Sequence, residues 1–392
     1  MSEKVEEYKE EVSNYVDQMA DTLESLAKKI YDNPEEKFEE YQAVEWLSEE
    51  LENQGFEVER EVAGLETAFR AVSPQSSDGP AIGYLCEYDA LPGLGHACGH
   101  NLIAAIGLGA GVALSGLLDK LDGRVEIIGT PAEEGGGGKV DLAEAGVFDD
   151  LDAAMMVHPS DKTKVGRGSL AIKQVNMDFY GESAHSSAEP EKGINALDAA
   201  INTFNNINAY REHMDEKSRV HGIITDGGEK PNIVPDHAGV EFYVRVADQE
   251  DLDDLLQRVL DCGKAGALAA GAEFEYCVTG HAYKAMDPNP VLVDLYSSNL
   301  EKLNEEISEH EGGMGSTDMG DVSQAVPAIH PYIKIAEDGT PGHSKAFLEA
   351  ADSEQGYQGM VTAAKALAMT GVDLLANPDL VEEAWEAFEG SE

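Results

Sequence analysis

The chain has 392 residues, of which 76 are Asp or Glu and only 27 are Lys or Arg, a formal net charge of −49; that balance argues against nucleic acid as a partner. With 42% hydrophobic residues it has the apolar content of a folded protein, and its length exceeds one ordinary core, so two domains are expected. The acids are spread along the whole chain rather than gathered in a tail, and such self-repulsion is tolerable mainly where salt screens it to about 3 Å, so a halophilic, high-salt cytoplasm is the expected setting.

Residues 3–31 place Val5, Tyr8, Val12, Tyr15, Val16, Met19, Leu23, Leu26 and Ile30 at spacings of three and four, which predicts an amphipathic helix. The stretch is charged where a signal peptide would be apolar. A second helix over 39–54 ends at Gly55, and the alternation of 56–62 predicts a strand. Strands are also expected over 67–72 and 81–86. The second of these is nearly all apolar, hence central, and it delivers Glu87, Tyr88 and Asp89 at its carboxyl end. A long apolar helix over 102–121 should set its N-terminal amides beside Cys98 and favour a thiolate there. The strand 124–129 stops at Thr130-Pro131-Ala132-Glu133-Glu134 and four glycines; a helix over 140–145 and an apolar strand over 153–157, ending on His158-Pro159, follow. This alternation predicts a parallel sheet wrapped by helices. Ligands of such sheets bind beyond the carboxyl ends of the strands, where Asp89, Cys98, His100, Glu133, Glu134 and His158 all fall.

From 171 the texture changes. Strands over 171–180, 220–225, 239–246 and 273–279, with helices over 194–214 and 252–270, give the β-α-β-β-α-β order of a ferredoxin-like module. After Pro288 the earlier pattern returns, with helices over 291–307 and 356–370. The predicted fold class is therefore α/β. Its first domain, residues 1–170 and 284–392, has a mixed, mostly parallel sheet flanked by helices, and the inserted α+β domain covers 171–283. No run approaches the roughly eighteen apolar residues of a membrane span. Cys86, Cys98, Cys262 and Cys277 form no Cys-x-x-Cys pair, which fits a reducing, cytoplasmic compartment.

Cys98-Gly99-His100 sets a thiol and an imidazole two residues apart in a glycine-rich turn, as metal ligands would be, although a free cysteine is also commonly a small buried hydrophobe. Glu133 and Glu134 are sequence neighbours whose side chains point differently. One can bind a metal while the other acts as general base, which is the division that hydrolytic metal sites need. A solvated acidic pair is the bland alternative, and Pro131 with Gly135 to Gly138 weighs against it by making a tight loop. Those glycines do not form a phosphate cradle, because Lys139 is followed by Val140 rather than Ser or Thr. Gly107, Gly109 and Gly111 miss the dinucleotide spacing and suit close helix packing.

Several stretches together resemble the motif series of the aminoacylase and amidohydrolase superfamily of di-metal peptidases. They are Tyr88-Asp89-Ala90-Leu91-Pro92 with Cys98-Gly99-His100-Asn101, Thr130-Pro131-Ala132-Glu133-Glu134-Gly135, Gly181-Glu182-Ser183-Ala184-His185-Ser186, Asn232-Ile233-Val234-Pro235 and Gly342-His343-Ser344. Within it the chain looks most like the branch holding p-aminobenzoyl-glutamate hydrolase and the β-alanyl-lysine (Xaa-Arg) type of dipeptidase. The resemblance implies two divalent metal ions, with Cys98 bridging them and His100, Glu134, His158 and His343 completing the shells. It makes Glu133 the general base and Asp89 a carboxylate that orients a ligand, while Glu87 stands where other branches carry His. Thiolate and imidazole donors favour zinc, with manganese or cobalt as alternatives.

The inserted domain is then the family's lid and dimer contact. His185 would hydrogen-bond the tetrahedral oxyanion in the neighbouring subunit's site, and Asn232 and Arg245 would hold substrate, Arg245 by pairing with a carboxylate. His96, His213, His221, His237, His281 and His310 are left as structural, and 315–318 with 330–332 resemble pocket-lining stretches. The expected activity is that of a metal-dependent amidohydrolase or peptidase. It would cleave the amide bond of a dipeptide or an N-acyl or N-aryl amino acid with metal-activated water, as a homodimer with no membrane partner. The alternatives are an N-carbamoyl or N-acetyl hydrolase on the same scaffold and, from another class, a catalytically idle metal-stabilised peptide-binding protein.

Overall fold

A computed structural model describes residues 3–309 and 315–390, so His310 lies outside the described residues. The chain divides into two compact units: one holds the chain up to Gly168 and again from Met286, the other is Ser169–Ala285. Its strands, in chain order, are β1 (Glu57–Arg60), β2 (Phe69–Val72), β3 (Ala81–Cys86), β4 (Arg124–Gly129), β5 (Ala153–Met155), β6 (His158–Ser160), β7 (Ala171–Tyr180), β8 (Arg219–Asp226), β9 (His237–Val246), β10 (Glu273–Tyr283), β11 (Ala328–Ile329) and β12 (Tyr332–Lys334).

The first unit is built on a 6-stranded sheet of order β1-β2-β4-β3-β5-β11. β4, β3, β5 and β11 run parallel, β2 pairs antiparallel with β4, and β1 pairs antiparallel with β2. β3 is buried at every position, as its unbroken apolar run requires of a strand covered on both faces. A short parallel pair, β6 and β12, continues beyond the sheet and carries His158 opposite Tyr332. The helix expected over 102–121 is His100–Ser115: Gly99, at φ 86°, is the left-handed residue that turns the chain into it, so His100 itself opens the helix. Every residue of that helix up to Leu114 is buried, and it packs against Glu3–Asp32 and Glu354–Ala376.

Glu354–Ala376 extends six residues past the predicted end, and by length and composition it is the one helix among the described residues that could cross a membrane. Most of it is buried inside the first unit, where its apolar face completes the core.

The second unit is an antiparallel sheet of order β10-β7-β9-β8 with the helices Ala196–Tyr210 and Asp251–Ala270. Val175, Met177 and Phe179 of β7, with Val240, Phe242 and Val244 of β9, alternate into its own core beneath those helices. β8 is an edge strand on which Ile223 and Ile224 are exposed.

Candidate metal centre

The carboxyl ends of β3, β4 and β5 open on one cleft in the first unit. β3 hands over to Glu87 and Asp89, both buried. Asp89 ties two loops together: its Oδ1 lies 2.8 Å from His100 Nδ1 and its Oδ2 accepts the Glu134 backbone N–H at 2.9 Å. With Nδ1 engaged, His100 presents Nε2, a buried atom with no hydrogen-bond partner. His158 donates Nδ1–H to the Pro159 carbonyl at 2.7 Å, which directs its Nε2 to the Cys98 sulfur at 3.3 Å. His343 comes from the far end of the chain, and its Nε2 lies 3.3 Å from Cys98 Sγ and 3.2 Å from Glu134 Oε1.

Two residues here hold left-handed backbone that is not glycine. His343, at φ 56°, is fixed by its N–H to the Ala97 carbonyl at 3.0 Å, and Ala132, at φ 61°, by its N–H to Glu40 Oε1 at 2.9 Å. Such a residue costs on the order of 1 kcal/mol and persists where its surroundings over-determine it. The glycine run explains the Ala132 turn. A Cβ at Gly138 would stand 2.1 Å from the Pro131 carbonyl oxygen, so only glycine lets the chain fold back behind Glu133 and Glu134.

The donor atoms of Cys98, His100 and His158 lie within 4.8 Å of one another, as do those of Cys98, Glu134 and His343, and of His100, Glu133 and Glu134. Two triads that share one thiol, with the buried His100 Nε2 lacking a hydrogen-bond partner, are the donor arrangement that fits a pair of cations joined by a thiolate. The charges agree with this in part. Burial, reinforced by His100, pushes His158 down to about 4, leaving the neutral imidazole that a metal needs. Burial raises the Cys98 thiol well above its ordinary value, and Glu134 and Glu133 add to the rise. The helix end expected to favour a thiolate is therefore outweighed by desolvation, and a cation is what would hold the sulfur deprotonated. Burial also holds Glu133 well above the usual carboxylate range, with Glu87, Asp318 and Glu134 pushing the same way. That is the direction a proton-accepting group requires. Glu134 goes the other way: burial opposes its charge, but the His343 contact and the nearby His100 together outweigh this and lower it.

The cleft is a cavity of about 460 Å³ whose lining includes Cys98, Glu133, Glu134, His158 and His343 together with Arg167, Tyr332 and the segment Gly315 to Thr317. The stretches 315–317 and 330–332 thus contribute to its wall, with His330 buried and held neutral by desolvation. The Arg167 guanidinium stands 5.3 Å from the Tyr332 ring centroid and adds a cation to that wall. Sequence reasoning passed over Arg167. It also used Lys139 only to dismiss a phosphate loop. Lys139 is fully buried beneath the cleft, 2.5 Å from Glu87 Oε1 and 2.8 Å from Asp318 Oδ1. A lysine set directly after a glycine run at the start of a short helix, in a chain with only 27 Lys and Arg, was the available signal.

The other predicted residues belong to the second unit. His185 and Asn232 are exposed neighbours there, joined by a bridge from His185 to Ile233 and by the Ser186 N–H on the Asn232 carbonyl at 3.1 Å. Arg245 lies on β9, with its guanidinium 5.9 Å from the Tyr243 ring centroid. Of the histidines left as structural, His96 is buried and pushed down to about 4 by desolvation, and His237 is paired with Asp178 at 3.0 Å and Asp226 at 2.6 Å.

One thiol, three imidazoles and two adjacent glutamates at the strand ends of a mixed α/β unit are the equipment of a metal-dependent hydrolase. The chain belongs to peptidase family M20/M25/M40, whose profile it matches over residues 85–366, and it is accordingly a metallo-amidohydrolase. It is 40% identical over 401 residues to the Xaa-Arg dipeptidase of Mus musculus, covering 97% of this chain and 92% of that protein. It is 30% identical over 435 residues to a subunit of the p-aminobenzoyl-glutamate hydrolase of Escherichia coli, covering 91% of this chain and 90% of that one. Its fold is shared by a dinuclear metal binding peptidase of the M20 family from Bacillus subtilis, at a TM-score of 0.71 and 20% identity, over 92% of this chain and 99% of that one.

Proposed function

We propose that the protein is a two-metal dipeptidase or N-acyl amino acid hydrolase. The observation that carries this is the Cys98 sulfur 3.3 Å from a ring nitrogen of both His158 and His343, beside the adjacent pair Glu133 and Glu134. Cys98, His100, Glu134, His158 and His343 would hold the two divalent cations, zinc by preference for thiolate and imidazole donors. When bound, the cations supply Lewis acidity toward the scissile carbonyl and the attacking water. Glu133 takes a proton from that water and returns it to the departing amine. Asp89 holds the His100 ring and the Glu134 loop in register.

In this proposal the second unit is the lid. His185 hydrogen-bonds the tetrahedral oxyanion at the site of a partner subunit, and Asn232 and Arg245 hold the substrate, Arg245 by pairing with its carboxylate. The exposed Ile223 and Ile224 on the edge strand β8 support pairing of two copies there. The net charge of −49 supports work in a concentrated-salt cytoplasm. The names of the two relatives above point to dipeptides ending in a basic residue and to aminobenzoyl-glutamate.

The test is a panel of dipeptides, N-acetyl and N-carbamoyl amino acids and p-aminobenzoyl-glutamate, assayed in molar salt with the wild type and Glu133→Gln. The expected result is turnover of at least one amide by the wild type, with a loss of about 1,000-fold or more in the variant at unchanged metal content. A variant as active as the wild type would overturn the assignment of Glu133, and an inert, metal-loaded wild type would overturn the function.

A further inference from the structure

Beneath the cleft the carboxylates of Glu87, Glu133 and Asp318 lie with oxygens within 4.8 Å of one another. Lodged against two of them is Lys139. Its Nζ donates to Glu87 Oε1 at 2.5 Å and to Asp318 Oδ1 at 2.8 Å, and its backbone N–H donates to Asp318 Oδ2 at 3.1 Å. The side chains of Lys139, Glu87 and Asp318 are all fully buried. Stability does not account for this arrangement. A buried ion triad is commonly no more stable than apolar side chains of the same volume, and Lys139 is the second residue of the helix Gly138–Glu144, where the helix dipole disfavours a cation.

We infer that Lys139 is a positioning residue for the general base: its ammonium is the fixed countercharge that holds Glu87 and Asp318 against Glu133 and keeps the Glu133 carboxylate turned toward the cleft. Three carboxylates this close repel one another strongly in a dry interior, and without a cation among them one must swing away. Glu133 borders the open cavity and is partly exposed, so it is the member with room to move. The two-point grip on Asp318 has a second consequence, because Ser316 and Thr317, which line the cavity, immediately precede it. The buried cluster and the substrate wall are thereby tied to one lysine.

The inference rests on Glu133 acting as base, and its test is arranged to separate the two. In the metal-loaded full-length protein, Lys139→Met should lower kcat by about 100-fold, the loss typical of removing one preorganised electrostatic group, with KM within about threefold of the wild type and two metals retained. Because Lys139→Met leaves two buried carboxylates uncompensated and risks the fold, the triple variant Lys139→Met, Glu87→Gln, Asp318→Asn is measured beside it. It should melt at or above the wild-type temperature, keep both metals and, because the repulsion that Lys139 offsets has gone with the two carboxylates, turn over within about tenfold of the wild type. Turnover within threefold of the wild type in folded Lys139→Met would overturn the inference, as would a folded triple variant slowed by the full factor of about 100, or loss of metal from it, which would mean that the triad acts on the ligands instead. If the wild type turns over amides and Glu133→Gln does not, either result leaves the function standing. A wild type inert on every amide removes both.

Discussion

Cys98 Sγ and His343 Nε2 stand 3.3 Å apart although 245 residues separate them in sequence. The contact exists because Gly99 turns the chain into the buried helix while His343 is strained into a left-handed conformation on the Ala97 carbonyl. Replacing Cys98 by Ser removes the soft donor shared by the two triads. Metal analysis after equilibrium dialysis should then give fewer than two ions per chain, with affinity down by about 100-fold, and Cys98→Asp should restore more of the binding than Ser does. Full occupancy in the Ser variant would mean that the thiol is not shared.

Asp89 serves both a proposed ligand and a proposed ligand's loop, through His100 Nδ1 at 2.8 Å and the Glu134 N–H at 2.9 Å. Asp89→Asn has one acceptor oxygen for these two donors. Metal affinity should fall by about 10- to 100-fold with the circular dichroism unchanged. Wild-type affinity would show that ring orientation is fixed elsewhere.

Much of this site was legible in sequence because its donors sit at the ends of strands whose apolar runs are unambiguous. Ala81–Cys86 and Arg124–Gly129 have the predicted bounds, and the glycines around Glu133 mark a turn that no helix face could make. Other features depend on long-range contacts that local pattern does not carry. The paired ends of Lys139 and Asp318 are 179 residues apart. Desolvation, with Glu134 and Glu133 nearby, pushes the Cys98 thiol up, an effect that no helix-end argument weighs. The apolar stretch 354–376 outran its predicted end because tertiary burial, which local spacing does not report, carries the helix on.

Glu40 gives a pH dependence in the scaffold. It is buried, accepts the Ala132 N–H at 2.9 Å, and desolvation, aided by Asp89, pushes its carboxyl up to about 7 from an ordinary 4.5. Between those two values the folded chain keeps a proton that the unfolded chain has lost, so stability from this group is present at the acid end and is lost as pH rises toward 7. The effect is up to about 3 kcal/mol. Glu40→Gln retains the acceptor oxygen. Denaturant unfolding from pH 5 to 8 should show the variant equal to the wild type at pH 5 and more stable at pH 8, and parallel curves would contradict this.

With 76 acidic and 27 basic residues, the folded chain repels itself wherever screening is weak. Its melting temperature should climb steeply from about 0.1 M to 1 M potassium chloride, as the screening length shrinks from about 10 Å to about 3 Å. A flat profile would show that the charges are compensated locally and would remove the argument for a saline cytoplasm.

The most direct measurement is anomalous diffraction at the zinc edge, with elemental analysis, on the protein purified without chelators. The account predicts two ions about 3.5–4 Å apart, one among Cys98, His100 and His158 and the other among Cys98, Glu134 and His343. A single ion, or metal bound away from Cys98, would contradict it.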